Sequence, residues 1–137
     1  MRLEGRIWKD GKHWLVEVPA LNAMTQGSTK RDGYRMLKDL VETMVDVVGF
    51  EARVYPKSED RLELGSNDVR LLVALLLRRQ REKRGITLAE AARRLDQKSR
   101  NAYARYEQGR AVPTVEKLEE LLKAIAPDED FVWRMAS

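Results

Sequence analysis

Residues 87–114, TLAEAARRLDQKSRNAYARYEQGRAVPT, carry the pattern that decides the fold of the second half of the chain. Thr87 followed three residues later by Glu90 is a capping box, which marks a helix start. Ala91 and Ala92 are small, so this helix can cross the next one closely. A second helix is expected after a tight turn, capped by Ser99 and ending near residue 109. The stretch therefore predicts two short helices joined at an angle.

The inner face of the second helix is indicated by its tyrosines. Tyr103 and Tyr106 are three residues apart, so both are expected to point inward, with Ala102 packing against the preceding helix. This phase leaves the remaining side chains toward solvent, namely Arg100, Asn101, Ala104 and Arg105.

Helical periodicity extends on both sides of this pair. Asp68 is placed to cap a helix that ends at Lys83 or Arg84, with Gly85 as the stop signal. Thr114 opens another helix, which Pro127 stops, and a short tail helix is expected around residues 131–135. The second half is thus predicted to be an all-α unit of four to five helices.

The first half has strand periodicity instead. Alternation over residues 3–7 and 13–18 predicts two strands, and Asp10-Gly11 predicts a two-residue hairpin turn that places Trp8 opposite His13. A third strand over 23–26, a helix capped by Ser28 or Thr29 and closed by Gly49, and a fourth strand over 51–55 follow. A small sheet of three to four strands with one helix is expected, so the predicted fold class is α+β.

The boundary between the two halves is predicted from composition. Residues 58–67 are rich in charge and poor in large apolar side chains, as a linker would be, although Leu62 and Leu64 could form a short extra strand. We therefore expect one domain over residues 1–57, a linker over 58–67 and a second domain over 68–137.

The charge is concentrated in the second half. Residues 1–66 balance, whereas the segment from Arg78 to Arg110 carries 11 basic residues against four acidic ones, a local net charge of +7. Such a block is either a solvated helical face or a nucleic-acid footprint.

The stretch from Leu75 to Ala126 resembles the lambda-repressor-like helix-turn-helix family, which implies operator DNA as a partner. The resemblance makes the third helix of that unit the recognition helix, whose first turn meets base edges. Arg binds guanine and Asn binds adenine, so Arg100 and Asn101 are candidates for base contacts. The candidates for phosphate contacts are Lys98, Ser99, Arg105 and Arg110. The family usually has glycine in the turn, where this chain has Asp96, a residue that adopts left-handed backbone more readily than most.

Two segments of the first half, HWLVEVPAL (13–21) and TQGSTKRDGYRMLKDLVETMVD (25–46), resemble the HicB antitoxin family. This resemblance implies a partial ribonuclease-H-like fold that masks a small HicA-like toxin cleaving messenger RNA. It also implies that the C-terminal domain represses the operon by binding its promoter. The alternative is a stand-alone transcription regulator whose N-terminal half binds a small ligand or dimerises.

We expect no enzymatic activity, cofactor or metal. The chain has no cysteine and one histidine, so thiolate chemistry and a credible Ser/His/Asp arrangement are excluded. Glu4, Asp10 and Glu17 are the acids of the strand region, and their spacing does not require a metal. An active metal-dependent nuclease is the third hypothesis, and it predicts that Glu4 or Glu17 is essential.

The run VRLLVALLL over residues 69–77 bears on assembly. It is apolar all round for two turns, more than a core on one side needs. We therefore predict a homodimer or a higher homo-oligomer with Leu75 and Leu76 of this helix at the interface, and the alternative for the run is burial within the chain. The chain shows no signal peptide and no membrane-spanning run, so we expect a cytoplasmic protein without a membrane partner.

Overall fold

The computed structural model describes residues 1–96 and 100–135. Its strands are β1 (Leu3–Asp10), β2 (His13–Val18), β3 (Ala23–Gly27), β4 (Ala52–Pro56) and β5 (Arg61–Ser66), with a 3-10 turn at Pro19–Leu21. Its helices are α1 (Lys30–Val45), α2 (Val69–Lys83), α3 (Leu88–Arg94), α4 (Arg100–Glu107) and α5 (Val115–Ile125). A sheet with one helix precedes a helical region, so the predicted α+β class is confirmed.

The described residues form an antiparallel sheet of five strands in the order β3-β2-β1-β5-β4, one strand more than the largest number expected. The additional strand is β5, which occupies most of the segment predicted as a linker and pairs with both β1 and β4. Leu62 and Leu64 are buried there, which confirms the noted possibility of a short extra strand. The division of the chain into two domains stays a prediction.

The β1–β2 hairpin turns one residue later than predicted. Asp10 pairs with His13, so Gly11 and Lys12 form the turn, and Trp8 lies opposite Leu15 rather than His13. Gly11 has a φ of +61°, whereas Asp10 and Lys12 do not have positive φ. A turn with glycine at its first central position needs only one positive φ, and this explains the shift.

Helix α1 packs against one face of the sheet through Leu37 and Val41, which are buried with Ile7 and Val16. The hydroxyl Oγ1 of Thr29 accepts a hydrogen bond from the Asp32 N–H at 3.0 Å, which confirms Thr29 as the N-cap.

Two glycines let α1 approach β3 closely. A Cβ on Gly27 would lie 2.3 Å from the backbone nitrogen of Gly33.

Helix α1 ends at Val45, followed by Asp46 at a φ of +52°. The predicted stop at Gly49 is therefore too late.

Helix α2 lies at the centre of the molecule. Every residue from Leu72 to Leu77 is buried. The Arg79 guanidinium donates to the carbonyl oxygens of Leu21 and Asn22 at 2.8 and 2.7 Å. The side chain of Gln80 donates to the Ala20 carbonyl at 2.6 Å. The helix is therefore covered by the N-terminal part and by the helices that follow.

Burial within one chain accounts for the apolar run of α2. Leu75 and Leu76 are only 3% and 4% exposed, so the prediction that they form a dimer interface is wrong. The homodimer itself stays a prediction, since this finding removes only one surface for it.

The predicted tail helix is also wrong, because residues 131–135 have no regular secondary structure. Arg134 instead donates to the carboxylates of Glu4 and Glu63 at 2.6 and 3.1 Å. The segment after Pro127 is too short for its hydrogen bonds to offset the unfavourable free energy of helix nucleation. The ion pairs of Arg134 hold it against β1 and β5 instead.

Candidate DNA-binding site

Helix α3 begins as the sequence predicts. Thr87 Oγ1 accepts a hydrogen bond from the Glu90 N–H at 3.1 Å. The Glu90 carboxylate does not complete the capping box, because it binds Arg93 at 2.5 Å and Arg94 at 3.1 Å. These two guanidinium groups lower the pKa of Glu90 to about 2.

The turn after α3 contains a left-handed residue at Asp96, where the sequence allows one. Asp96 has a φ of +55°, the left-handed conformation that glycine adopts most readily. Two of the predicted phosphate contacts, Lys98 and Ser99, lie outside the described residues.

The inner face of α4 is centred between Tyr103 and Glu107. Tyr103 is fully buried, and Ala104 is 7% exposed. Burial, reinforced by the nearby Glu107 carboxylate, raises the pKa of the Tyr103 phenol. Tyr106 is half-buried against the core, so the inward direction of both tyrosines is confirmed.

The two alanines of α4 face the opposite way from the prediction, which had Ala102 inward and Ala104 toward solvent. Ala104 is buried, whereas Ala102 is exposed. The reason is helical phase: Ala104 follows Tyr103 by about 100°, toward the side of Glu107, and Ala102 precedes it by the same angle on the other side. Ala91 and Ala92 are buried at the crossing of α3 and α4, as predicted.

The C-terminal half of α4 is attached to α2 by an ion pair that the sequence did not reveal. Arg81 Nε lies 2.7 Å from one carboxylate oxygen of Glu107, and its Nη2 lies 3.0 Å from the other. Arg81 also donates to the Ile86 carbonyl at 2.7 Å. This two-point contact raises the pKa of Arg81 and fixes the rotation of α4 about its own axis.

The loop that follows α4 rests on the start of α2. Arg70 donates to the Gly109 carbonyl at 2.8 Å. Gly109 has a φ of +70°, and a Cβ there would lie 2.9 Å from Leu71 Cδ2. The start of this loop is therefore positioned by α2.

The outer face of α4 is polar and exposed. We call the exposed side chains Asn101, Ala102, Arg105 and Gln108 the outer stripe. Their spacing of one, four and seven residues from Asn101 places them along one side of the helix. Gln108 was not among the predicted site residues, although its spacing from Asn101 and Arg105 was a signal for it.

Arg100 and Arg110 flank the outer stripe. Arg100 is the first residue of α4, Arg110 follows the helix, and both are exposed. Within the described residues, the guanidinium groups of Arg100, Arg105 and Arg110 have no ion pair or side-chain hydrogen bond. Their donors are therefore available to phosphate or base acceptors in this part of the structure, and the contacts themselves stay a prediction.

The basic block around α4 divides into structural and exposed charges. Ten of the 11 basic residues between Arg78 and Arg110 lie in the described part of the chain, and six of these bind oxygen atoms of the protein itself, namely Arg78, Arg79, Arg81, Arg84, Arg93 and Arg94. The candidate site therefore has fewer exposed positive charges than the local net charge of this segment suggests.

The acids proposed for a nuclease differ in their surroundings. Asp10 ends β1 beside the hairpin turn, Glu17 is half-buried, and Glu4 is bound by Arg134. Within residues 1–96 and 100–135, no group of three or more His, Asp or Glu side chains is placed to hold a metal ion.

The order of α3, the turn with Asp96 and α4 with its exposed stripe is the geometry in which a second helix is presented to a DNA groove. The comparison with protein families agrees, since the helix-turn-helix family model matches residues 77–130. Residues 77–130 form a helix-turn-helix domain. The helix-turn-helix domain supports a role in DNA binding and transcription regulation.

The match does not reach residues 1–76, and the curated proteins contain no match to the chain. No helix in the described parts of the chain is long and apolar enough to cross a membrane.

Proposed function

We propose that the chain is the antitoxin of a toxin–antitoxin pair. Its N-terminal sheet and α1 neutralise a small HicA-like toxin that cleaves messenger RNA, and its helix-turn-helix domain binds operator DNA to repress the operon. The chain itself acts by binding and has no catalytic activity.

The DNA-binding part of the proposal rests on the direction in which α4 is held. Its inner face is fixed to α2 through Arg81 and Glu107, while the outer stripe and Arg100 are exposed. In this arrangement Arg100 and Asn101 contact base edges. The phosphate contacts come from Lys98, Ser99, Arg105 and Arg110, and Gln108 adds a further polar contact.

The toxin-binding part rests on the N-terminal unit. Its order of hairpin, third strand, helix and fourth strand is the order that the HicB resemblance implies. Helix α1 covers one face of the sheet. Trp8 and Leu15 pair directly on the opposite face and are both half-buried. This pair is an apolar feature of the unit that a protein partner would cover.

Two copies of the chain bind one operator. A helix-turn-helix protein that forms a two-fold dimer presents its recognition helices about 34 Å apart, one turn of DNA. The operator is therefore palindromic, with half-sites at that spacing.

The test uses the neighbouring reading frame of the genome. The proposal requires a small protein that arrests growth alone, is rescued by co-expression of this chain and co-purifies with it. Trp8→Ala with Leu15→Ala should weaken rescue and leave operator binding intact, whereas Arg100→Ala should do the reverse. A neighbour that is harmless, or rescue without a complex, contradicts the antitoxin role.

One observation favours the alternative of a stand-alone regulator with a ligand-binding N-terminal half. A pocket of about 1060 Å³ lies between residues of β1 and residues of α2 and α5, lined in part by Leu76, Leu118, Leu122 and Trp133. Small apolar molecules that raise the melting temperature and change operator affinity, in the absence of a toxic neighbour, would favour this regulator.

Cleavage of RNA with Mg²⁺ or Mn²⁺, abolished by Glu4→Gln or Glu17→Gln, would instead support a nuclease.

A further inference from the structure

The two edges of the sheet differ in how well they are closed. At the β4 edge, the Ala52 N–H donates to the Glu42 carboxylate at 3.0 Å, Pro56 has no N–H, and Arg53 adds a charge. At the other edge, β3 has the sequence AMTQG, without charge or proline. Natural proteins close exposed edges with charge, proline or a covering side chain. β3 has neither a charge nor a proline.

The hairpin register defines which backbone groups of β2 face β3. Asp10 and His13 flank the two-residue turn, so they form a hydrogen-bonded pair, and such pairs alternate along an antiparallel ladder. Leu15 and Glu17 therefore direct their N–H and C=O groups to β1. The intervening residues of β2 direct theirs to β3, where Val16 meets Thr25 and Val18 meets Ala23.

The same alternation leaves two residues of β3 with outward backbone groups. Ala23, Thr25 and Gly27 bond to β2, so Met24 and Gln26 direct their N–H and C=O groups away from the sheet. Both residues are exposed, and the Met24 side chain is 55% exposed. The edge thus offers two donors, two acceptors and an apolar side chain.

We infer that a second copy of this chain pairs with this edge, joining two sheets through antiparallel β3 strands. A two-fold contact places a surface against itself, so charges of one sign would repel across it. β3 has no charge. A register centred on Thr25 uses every outward group of both strands, because Met24 then pairs with Gln26 of the second copy in both directions. This inference rests on the proposed binding of two chains to one operator, and it names the surface involved.

The test exploits the register, in which position 24 faces position 26 of the other copy. The variant Met24→Lys with Gln26→Lys places like charges opposite each other twice, and its dimer dissociation constant should rise about tenfold or more. The matched variant Met24→Lys with Gln26→Glu places opposite charges at the same positions and should remain dimeric. Analytical ultracentrifugation measures both, and urea unfolding shows that each variant is folded.

The outcomes separate this surface from the dimer itself. A wild-type dimer that neither variant dissociates, or that both dissociate equally, overturns the β3 pairing and leaves the proposed dimer in place. A monomeric wild type overturns both. Hydrogen exchange at Met24 and Gln26 that slows only when the neighbouring protein is added would assign the edge to that protein and overturn the pairing of copies.

Discussion

Arg81 on α2 and Glu107 on α4 form a two-point ion pair with their side chains only 14% and 6% exposed. Because α2 also contacts the sheet-bearing part through Arg79 and Gln80, this pair connects α4 to the rest of the molecule. It determines which side of α4 remains exposed.

Breaking this pair should destabilise the protein. Glu107→Leu leaves the mostly buried guanidinium of Arg81 without its carboxylate, and we expect a loss of about 3 kcal/mol in the free energy of unfolding. Urea denaturation measures it. The double variant Arg81→Met with Glu107→Leu should recover much of the loss, because it removes both charges. A single variant as stable as the wild type would show that the pair does not hold α4.

Base and phosphate contacts should respond differently to substitution. Arg100→Ala should cost about 1 to 3 kcal/mol in operator binding and relax specificity at one base pair. Arg110→Ala should weaken binding to all sequences and reduce the slope of affinity against salt by about 1. Fluorescence anisotropy over a salt series measures both effects.

The matched control for these two variants is Arg31→Ala. It makes the same change of charge at an exposed position of α1, far along the chain from α4, and should leave both affinity and salt slope unchanged. If Arg100→Ala and Arg110→Ala also bind operator like the wild type, the assignment of α4 as the recognition helix is wrong.

The close approach of α1 and β3 predicts opposite tolerances for two neighbouring glycines. Gly27→Ala places a Cβ 2.3 Å from the Gly33 nitrogen, and because backbone cannot yield easily it should cost at least about 2 kcal/mol. Gly33→Ala brings its Cβ 3.2 Å from Ile7 Cδ1, a side-chain end that can shift. Since alanine favours helix by about 1 kcal/mol over glycine, this variant should be near neutral. Thermal unfolding separates them, and equal losses would contradict the packing described.

Glu90 should contribute to acid unfolding. Its pKa is about 2 in the folded chain against 4.5 ordinarily, so its stabilising contribution is present above pH 4.5 and is lost as the pH falls from 4.5 toward 2. Glu90→Gln should therefore flatten the fall of the unfolding midpoint in this window. Glu119→Gln, an exposed acid without an ion pair in the described part of the chain, should leave the profile unchanged. An unaltered slope in Glu90→Gln would show that Arg93 and Arg94 do not stabilise the acid.

Local signals in the sequence predicted most of the secondary structure. Thr29, Asp68, Thr87 and Thr114 all cap helices as expected, because a side-chain oxygen before an apolar run satisfies orphan N–H groups wherever it occurs. The left-handed backbone of Asp96 is one that its residue type tolerates. These features depend on neighbours a few residues away.

The wrong predictions concern features that contacts between distant parts of the chain determine. Residues 58–67 resembled a linker in composition, yet pairing with β1 and β4 on both sides converts most of them into β5. The apolar run of α2 was assigned to a dimer, although two parts of the same chain cover it. The inward side of Ala104 likewise depends on the contact between Glu107 and Arg81, which lie 26 residues apart.

The central position of α2 affects how the protein unfolds and is degraded as well as how it is packed. Because the sheet-bearing part and α4 both pack on this helix, neither can separate from it without exposing apolar surface that stabilises the other. Unfolding is then cooperative across the chain, and a protease that cuts α2 in a transiently open molecule removes both ends at once. The lifetime of the whole chain follows that of one helix, so operator occupancy and any neutralising capacity would decline together.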